Sequence, residues 1–203
     1  MKIIPSIIAK DQKELDIRLG RVIRYSNLFH LDVMDGEFVR NTSLQFNLAL
    51  PNACYEAHLM VKNPVKWLDD NAKKMDRVIF HAESPSLSRL ISDAKKLGKK
   101  VSLALNPETE IRDIEPFLEL VDRVLVMTVS PGAYGAPFLP ETLRKIKRLK
   151  ELYPGIEIET DGGVTPQTIK SMKMAGAGLF VCGSYIQDND AGKAIAEMEA
   201  LIR

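Results

Sequence analysis

Eight short runs of aliphatic and β-branched residues recur along this chain, and helical periodicity fills most of the gaps between them. The runs are Lys2–Ile8, Leu28–Met34, Cys54–Met60, Arg77–His81, Lys100–Leu105, Asp122–Thr128, Ile156–Thr160 and Gly178–Cys182. Each reads as a strand. Leu15, Leu19, Val22 and Ile23 share one helical face, as do Leu87, Leu90, Ile91, Ala94 and Leu97 ahead of a stop at Gly98. Ala194, Ile195, Met198, Leu201 and Ile202 repeat the pattern at the end. The pairs Asn63-Pro64, Ser84-Pro85 and Thr165-Pro166 mark helix starts, because a capping oxygen precedes a proline whose missing N–H is not needed there. The connection from Asp35 to Ala53 is weakly periodic, so any helix between Ser43 and Leu50 is short. Eight alternating units within 203 residues suit a (β/α)8 TIM barrel better than an open doubly wound sheet. No Gly-x-Gly-x-x-Gly follows the first run, which counts against a dinucleotide-binding variant. No linker interrupts the alternation, and residues 1–203 read as one barrel domain.

Composition narrows the partners. Acidic and basic residues nearly cancel, leaving a formal charge of +1, so neither nucleic acid nor an anionic membrane is expected. The basic run Arg144, Lys145, Lys147, Arg148 and Lys150 alternates with Leu143, Ile146, Leu149 and Leu152, as on the solvated face of an outer helix. Cys54 and Cys182 lie in apolar runs without Cys-x-x-Cys spacing. They are expected to be buried free thiols in a reducing compartment. The N-terminus lacks an apolar targeting segment, and no stretch is long enough to span a bilayer. A cytoplasmic protein is expected, and a homo-oligomer is compatible with the sequence.

In a barrel of this type, active-site groups project from the C-terminal ends of the strands. The unusual polar residues cluster there. Ser6 ends the first run, His30 and Asp32 the second, His58 the third, His81 the fourth and Asn106 the fifth. Thr128, Asp161 and Gly183-Ser184 end the last three. His30 and Asp32 are two apart and share one side of their strand. Two imidazoles and two carboxylates, His30, Asp32, His58 and Asp161, make a divalent metal site of mixed nitrogen and oxygen donors. That set suits Zn, Fe(II), Mn(II) or Co(II). The ordinary alternative is a set of independent core histidines. Asp161-Gly162-Gly163 and Gly183-Ser184 follow strands seven and eight, where such barrels bind phosphate on bare backbone N–H groups. The alternative is that these glycines only make tight turns. Ser130–Pro137 is long enough to close over a ligand. Met34, Met60 and Met127 end three strands, and core filling is their default role.

Several motifs now fall in register. Pro5-Ser6-Ile7, His30-Leu-Asp-Val-Met-Asp-Gly-Glu-Phe-Val, His58-Leu-Met-Val-x-x-Pro64 and Leu105-Asn-Pro-x-Thr109 resemble ribulose-phosphate 3-epimerases. So do Val126-Met-Thr-Val-x-Pro-Gly132, Asp161-Gly-Gly-Val and Ala175-Gly-Ala-x-x-x-Val-x-Gly-Ser184. The resemblance runs from Lys2 to about Ile186. It implies a metal-dependent barrel that interconverts D-ribulose 5-phosphate and D-xylulose 5-phosphate in the pentose phosphate pathway, with one divalent ion per chain. It matches the metal ligands to His30, Asp32, His58 and Asp161 and the acid–base pair to Asp32 and Asp161. Substrate contacts match Ser6, His58, Met34, Met60, Met127, Gly132 and Gly135. Phosphate contacts match Gly162, Gly163, Gly183 and Ser184. His81 finds no first-rank role and reads as support or packing.

The chain departs from that pattern in places. Tyr134 and Ala136 replace a glycine and a glutamine in the loop after strand six, Arg40 replaces a proline, and Lys10 an aspartate. Leu44–Ala53 is about ten residues shorter than the family's second helix region, in line with its weak periodicity. Three alternatives remain at this point: an epimerase of another phosphorylated ketose such as D-allulose 6-phosphate, a metal-independent phosphosugar isomerase, and a non-catalytic phosphate-ligand binder. Retention of both Asp32 and Asp161 argues against the last.

Overall fold

Alternation along each strand sorts the side chains into two populations, and that sorting explains the architecture. A computed structural model describes Met1–Arg203. The barrel strands are β1 (Lys2–Ile7), β2 (Leu28–Asp35), β3 (Cys54–Met60), β4 (Arg77–His81), β5 (Lys100–Leu105), β6 (Arg123–Met127), β7 (Glu157–Asp161) and β8 (Leu179–Cys182), and the two residues Thr42–Ser43 pair antiparallel with the end of β2. Neighbours pair in parallel in sequence order, and β1 pairs with both β2 and β8, so the sheet closes into a barrel. This is the (β/α)8 fold that the alternation predicts, with strand ends displaced by at most one residue.

Outward positions carry the main apolar core. Phe29, Leu31 and Val33 of β2, Val78 and Phe80 of β4 and Leu103 and Leu105 of β5 belong to one large cluster with the helix faces. Inward apolar residues instead form small separate groups, such as Ile79 with Ala104, Leu125 and Met127, and Ile4 with Leu179 and Val181. Polar residues separate them. Glu56, Arg77, Ser102, Arg123 and Glu159 are buried in the barrel below the mouth, and His30, Asp32, His58, His81 and Asp161 nearer to it.

The helices are α1 (Gln12–Val22), α2 (Pro64–Asn71), α3 (Leu87–Lys96), α4 (Thr142–Leu152), α5 (Ile169–Ala175), α6 (Ser184–Gln187) and α7 (Ala191–Ile202). Side chains cap α1 and α7: Asp11 accepts from Glu14 N and Asp190 from Lys193 N. The Asn63-Pro64 start holds for α2. The other two proline signals miss. After Pro85 the chain makes a further turn through Ser86 in the left-handed region before α3 begins. After Pro166 the Thr168 hydroxyl donates to Gly163 O and accepts from Thr165 N, closing the loop before α5.

Between Asp35 and Cys54 no helix forms at all. An extended segment fills that layer with Leu44 and Leu48, and α2 satisfies its backbone: Trp67 Nε1 donates to Leu44 O (2.7 Å) and Asn71 Oδ1 accepts from Leu48 N (2.9 Å). Only 3-10 turns, Ile111–Asp113 and Glu115–Leu120, link β5 to β6. Two burial expectations fail. Cys54 is exposed because it opens β3 at the outer end of the barrel, while Cys182 is buried and both are free thiols. Leu97 lies past the last turn of α3 and is exposed. The basic run lies on α4, with Arg144, Lys147, Arg148 and Lys150 exposed. No helix is long and apolar enough to cross a membrane.

Candidate active site

The register of neighbouring strands assembles the polar residues. Asp32 sits opposite His58 on β2 and β3, and Met127 opposite Asp161 on β6 and β7. His58 Nδ1 lies 3.1 Å from Asp32 Oδ1 and 3.3 Å from Asp161 Oδ2. His30 Nε2 lies 3.3 Å from Asp32 Oδ1 and 3.9 Å from Asp161 Oδ2. The four residues expected to hold a metal therefore meet, with one donor atom from each within 4.8 Å of the others. Thr128 pins the β7 end by donating from Oγ1 to Asp161 O (3.0 Å).

These residues fit a divalent cation. His30 Nε2 is buried and faces two carboxylates without a well-directed hydrogen bond to either, Asp32 Oδ1 being 3.3 Å away. Its Nδ1 is held by Glu56 Oε1 at 2.9 Å, the outer bond that fixes which nitrogen of a ligating histidine faces a metal. On the far side, His58 Nε2 meets His81 Nε2 at 2.8 Å, and His81 Nδ1 meets Glu83 Oε2 at 3.2 Å. His81 thus stacks on His58 and holds its ring. A second acidic group, His30 with Glu56 and Glu159, is not free for a cation. The Arg123 guanidinium fills it, with Nη1 2.7 Å from Glu56 Oε2 and 2.9 Å from Glu159 Oε2.

Electrostatics separate the two aspartates. Burial raises Asp161, and the neighbouring Asp32 charge raises it further. Burial also works on Asp32, but the His30 charge and bonds to His30 and His58 outweigh it and hold that carboxyl low. For His30, burial pulls the pKa down, and the Asp32 charge with bonds to Asp32, Glu159 and Glu56 lifts it well above the usual imidazole range. His58 is likewise raised, its bonds to Asp161 and Asp32 overcoming burial. His81 goes the other way, pushed by burial down to about 4.

Above the cluster opens a pocket lined by Ser6, Asp32, Met34, Met60, Met127, Gly132, Gly135, Asp161, Gly162, Gly163, Gly183 and Ser184, all expected at the site. His30 and His58 lie beneath this lining, fully buried. Two glycines are required by space. A Cβ on Gly162 (φ +97°) would lie 2.2 Å from Val129 Cγ2, and one on Gly132 (φ +84°) would lie 2.5 Å from Val39 Cβ.

The model of the ribulose-phosphate 3 epimerase family matches residues 2–187. The chain belongs to that family. Membership makes it an epimerase, an isomerase. It is 36% identical to the ribulose-phosphate 3-epimerase of Schizosaccharomyces pombe over 91% of this chain and 86% of that protein. It is 36% identical to a cytoplasmic isoform from Oryza sativa subsp. japonica over 91% and 86%. The Bacillus subtilis enzyme is 34% identical over 98% of both chains. More distant solved structures share the barrel. A 3-hexulose-6-phosphate synthase superposes with a TM-score of 0.71 at 17% identity over 100% of both chains. A 3-keto-L-gulonate-6-phosphate decarboxylase from Vibrio cholerae gives 0.72 at 14% identity over 100% of this chain and 96% of that one.

Two supports beneath the site of this epimerase are not among the residues expected from the motifs. Glu56 and Glu159 stand two residues before His58 and Asp161 and so share their inward face; that spacing was the available signal. Arg18 and Gln187 also line the pocket, and no local motif marks either.

Proposed function

We propose that this epimerase interconverts D-ribulose 5-phosphate and D-xylulose 5-phosphate, with Asp32 and Asp161 as its two proton-transferring groups. The observation that carries the reading is that two carboxyl groups converge on His58 from separate strands, β2 and β7, and both line the pocket. Inverting a carbon beside a carbonyl needs a base on one face and an acid on the other, and two carboxyl groups from different strands supply the pair. The ionised aspartate takes the C3 proton while the C–H electrons move into the C2 carbonyl to give an enediolate. The protonated aspartate then delivers a proton to the opposite face of C3. Running the sequence backwards exchanges their roles.

His30, Asp32, His58 and Asp161 would hold one divalent ion, which supplies Lewis-acid stabilisation of negative charge on the substrate oxygens when bound. Each aspartate keeps one carboxylate oxygen for the proton. Met34, Met60 and Met127, nearly fully buried at the mouth, exclude water from the reacting carbon, and Ser6 orients the sugar. Backbone N–H groups at Gly162, Gly163, Gly183 and Ser184 receive the phosphate. One barrel domain carries all of this. We place the enzyme in the pentose phosphate pathway and in the cytoplasm, in keeping with the isoform from Oryza sativa.

The test is metal analysis of the purified protein together with a ribulose-to-xylulose 5-phosphate assay run beside one on D-allulose 6-phosphate. About one metal per chain and preference for the pentose are expected. Asp32→Asn and Asp161→Asn should each abolish epimerisation in a folded protein. Near-wild-type turnover in either would refute the two-base mechanism, and preference for the hexose would reassign the substrate.

A further inference from the structure

We propose that Arg18 and Gln187 form a side-chain clamp on the substrate's phosphate, a binding contribution beyond the backbone glycine loops; it rests on the phosphorylated-ketose reading above. Three charged side chains line the pocket: Asp32, Asp161 and Arg18. A phosphate monoester brings a charge close to −2, and the pocket's two carboxylates are assigned above to the metal and the proton transfer. Backbone N–H groups offer dipoles without net charge, and Arg18 is the one lysine or arginine on the wall.

Its geometry suits the task. Arg18 Nε and Nη2 both donate to Glu14 Oε1, at 2.9 and 2.8 Å, one turn earlier on α1. A guanidinium has five N–H donors, so the remaining three are available on the other side. The Tyr134 ring lies 5.9 Å from the guanidinium carbon and steadies it.

Gln187 supplies the independent observation. It is 7% exposed, it lines the same pocket, and its Nε2 donates to nothing in the protein. A buried amide left without an acceptor is costly and calls for a ligand or another explanation. The two residues share one rim. The ring of Tyr134 meets Arg18, and its hydroxyl donates to Oδ1 of Asp188, the neighbour of Gln187, at 2.8 Å. The guanidinium presents donors only, and the Gln187 amide adds an unpartnered Nε2 donor next to its Oε1 acceptor. A phosphate presents acceptors only, whereas sugar hydroxyls are both.

Steady-state kinetics and calorimetric titration with inorganic phosphate test the clamp. Arg18→Met should raise KM for ribulose 5-phosphate roughly 10- to 100-fold with kcat within about threefold, the signature of lost uniform binding. Gln187→Leu should raise KM about tenfold, and both should weaken inorganic phosphate by a similar factor. Arg18→Lys should fall between, since it keeps the charge and loses the fork. KM and phosphate affinity within twofold of wild type in Arg18→Met would overturn the clamp while leaving the epimerase reading intact. Conversely, weakened phosphate binding in Arg18→Met, with a wild-type protein that does not epimerise the pentose, would sink that reading and keep the clamp. Should Arg18→Met fail to fold, Glu14→Gln decides. Freeing Arg18 from its competitor should tighten phosphate several-fold, and unchanged affinity would refute the proposal.

Discussion

Replacing Arg123 with methionine tests whether the buried charge below the metal cluster holds the barrel together. Arg123 bonds Glu56 and Glu159 through Nη1 at 2.7 and 2.9 Å, and the half-exposed Glu157 through Nε at 2.8 Å. Glu56 and Glu159 are 1% and 0% exposed. Burial and the Glu159 charge raise Glu56, while for Glu159 the bonds to His30 and Glu56 and the Arg123 charge overcome burial and lower it. Taking away the guanidinium leaves at least one carboxylate in the interior with only His30 as a counter-charge. Removing one partner of a buried pair costs about 3–5 kcal/mol, against a total stability of about 5–15 kcal/mol. At about 2–4 °C per kcal/mol for a chain of this size, Tm should fall by roughly 10 °C. Thermal and urea unfolding followed by circular dichroism, in chelator, measure the Tm and free-energy losses without contribution from metal. A companion Glu159→Gln in the methionine background removes the stranded charge and should recover about 1–3 kcal/mol of coupling. A loss below about 1 kcal/mol, or no recovery in the double variant, would show that Arg123 does not act by neutralising these carboxylates.

Two further outcomes follow from the site's titrations. His81 is buried neutral, its pKa lowered from 6.5 to about 4, so the unfolded chain binds its proton more readily than the folded one. Its contribution is therefore complete above pH 6.5 and is lost as pH falls toward 4, by about 2 kcal/mol at pH 5. Chelated wild type should lose that much more stability between pH 7.5 and pH 5 than His81→Gln, and parallel losses would contradict the assignment. His30 and His58 are raised above the usual imidazole value in the metal-free site, and ligation requires the neutral ring. Titrating Zn(II) or Mn(II) at pH 7 in buffers of different ionisation enthalpy should release about one to two protons per metal bound; uptake with no release would mean the histidines are already neutral.

The strands were legible because runs such as Val101–Leu105 or Val124–Met127 are apolar on both faces or nearly so, and their ends are set by the same residues that carry the chemistry. The four candidate ligands were legible for a related reason: strand period and barrel closure bring the ends of β2, β3 and β7 to one mouth. Local helix signals were weaker. Pro85 and Pro166 are each compatible with a helix start, but tertiary turns closed by Ser86 and Thr168 delay it. The role of His81 was hidden because its partner His58 is 23 residues away, and Arg123 meets Glu56 across 67 residues. Neither pairing leaves a periodic trace. Glu56 and Glu159, by contrast, were readable from their spacing to His58 and Asp161.

The division between the two faces of the sheet has a consequence for how the site is held. Barrels of this class usually fill their interior with branched apolar side chains. Here that role is partly taken by a bonded line of polar groups running from Arg123 through Glu56, His30 and Asp32 to His58, His81 and Glu83. Apolar packing outside the strands, from Phe29, Phe80 and Phe180 among others, supplies the stability that such an interior does not. Buried polar groups are costly unless each is satisfied, and most members of the line satisfy the next. The weakest link is His30 Nε2, which lies 3.3 Å from Asp32 Oδ1 and 3.9 Å from Asp161 Oδ2 without a well-directed hydrogen bond to either. A buried imidazole nitrogen that faces two aspartates without a well-directed hydrogen bond to either is placed to take a cation, and that argues for the metal from the chain's own bonding rather than from resemblance.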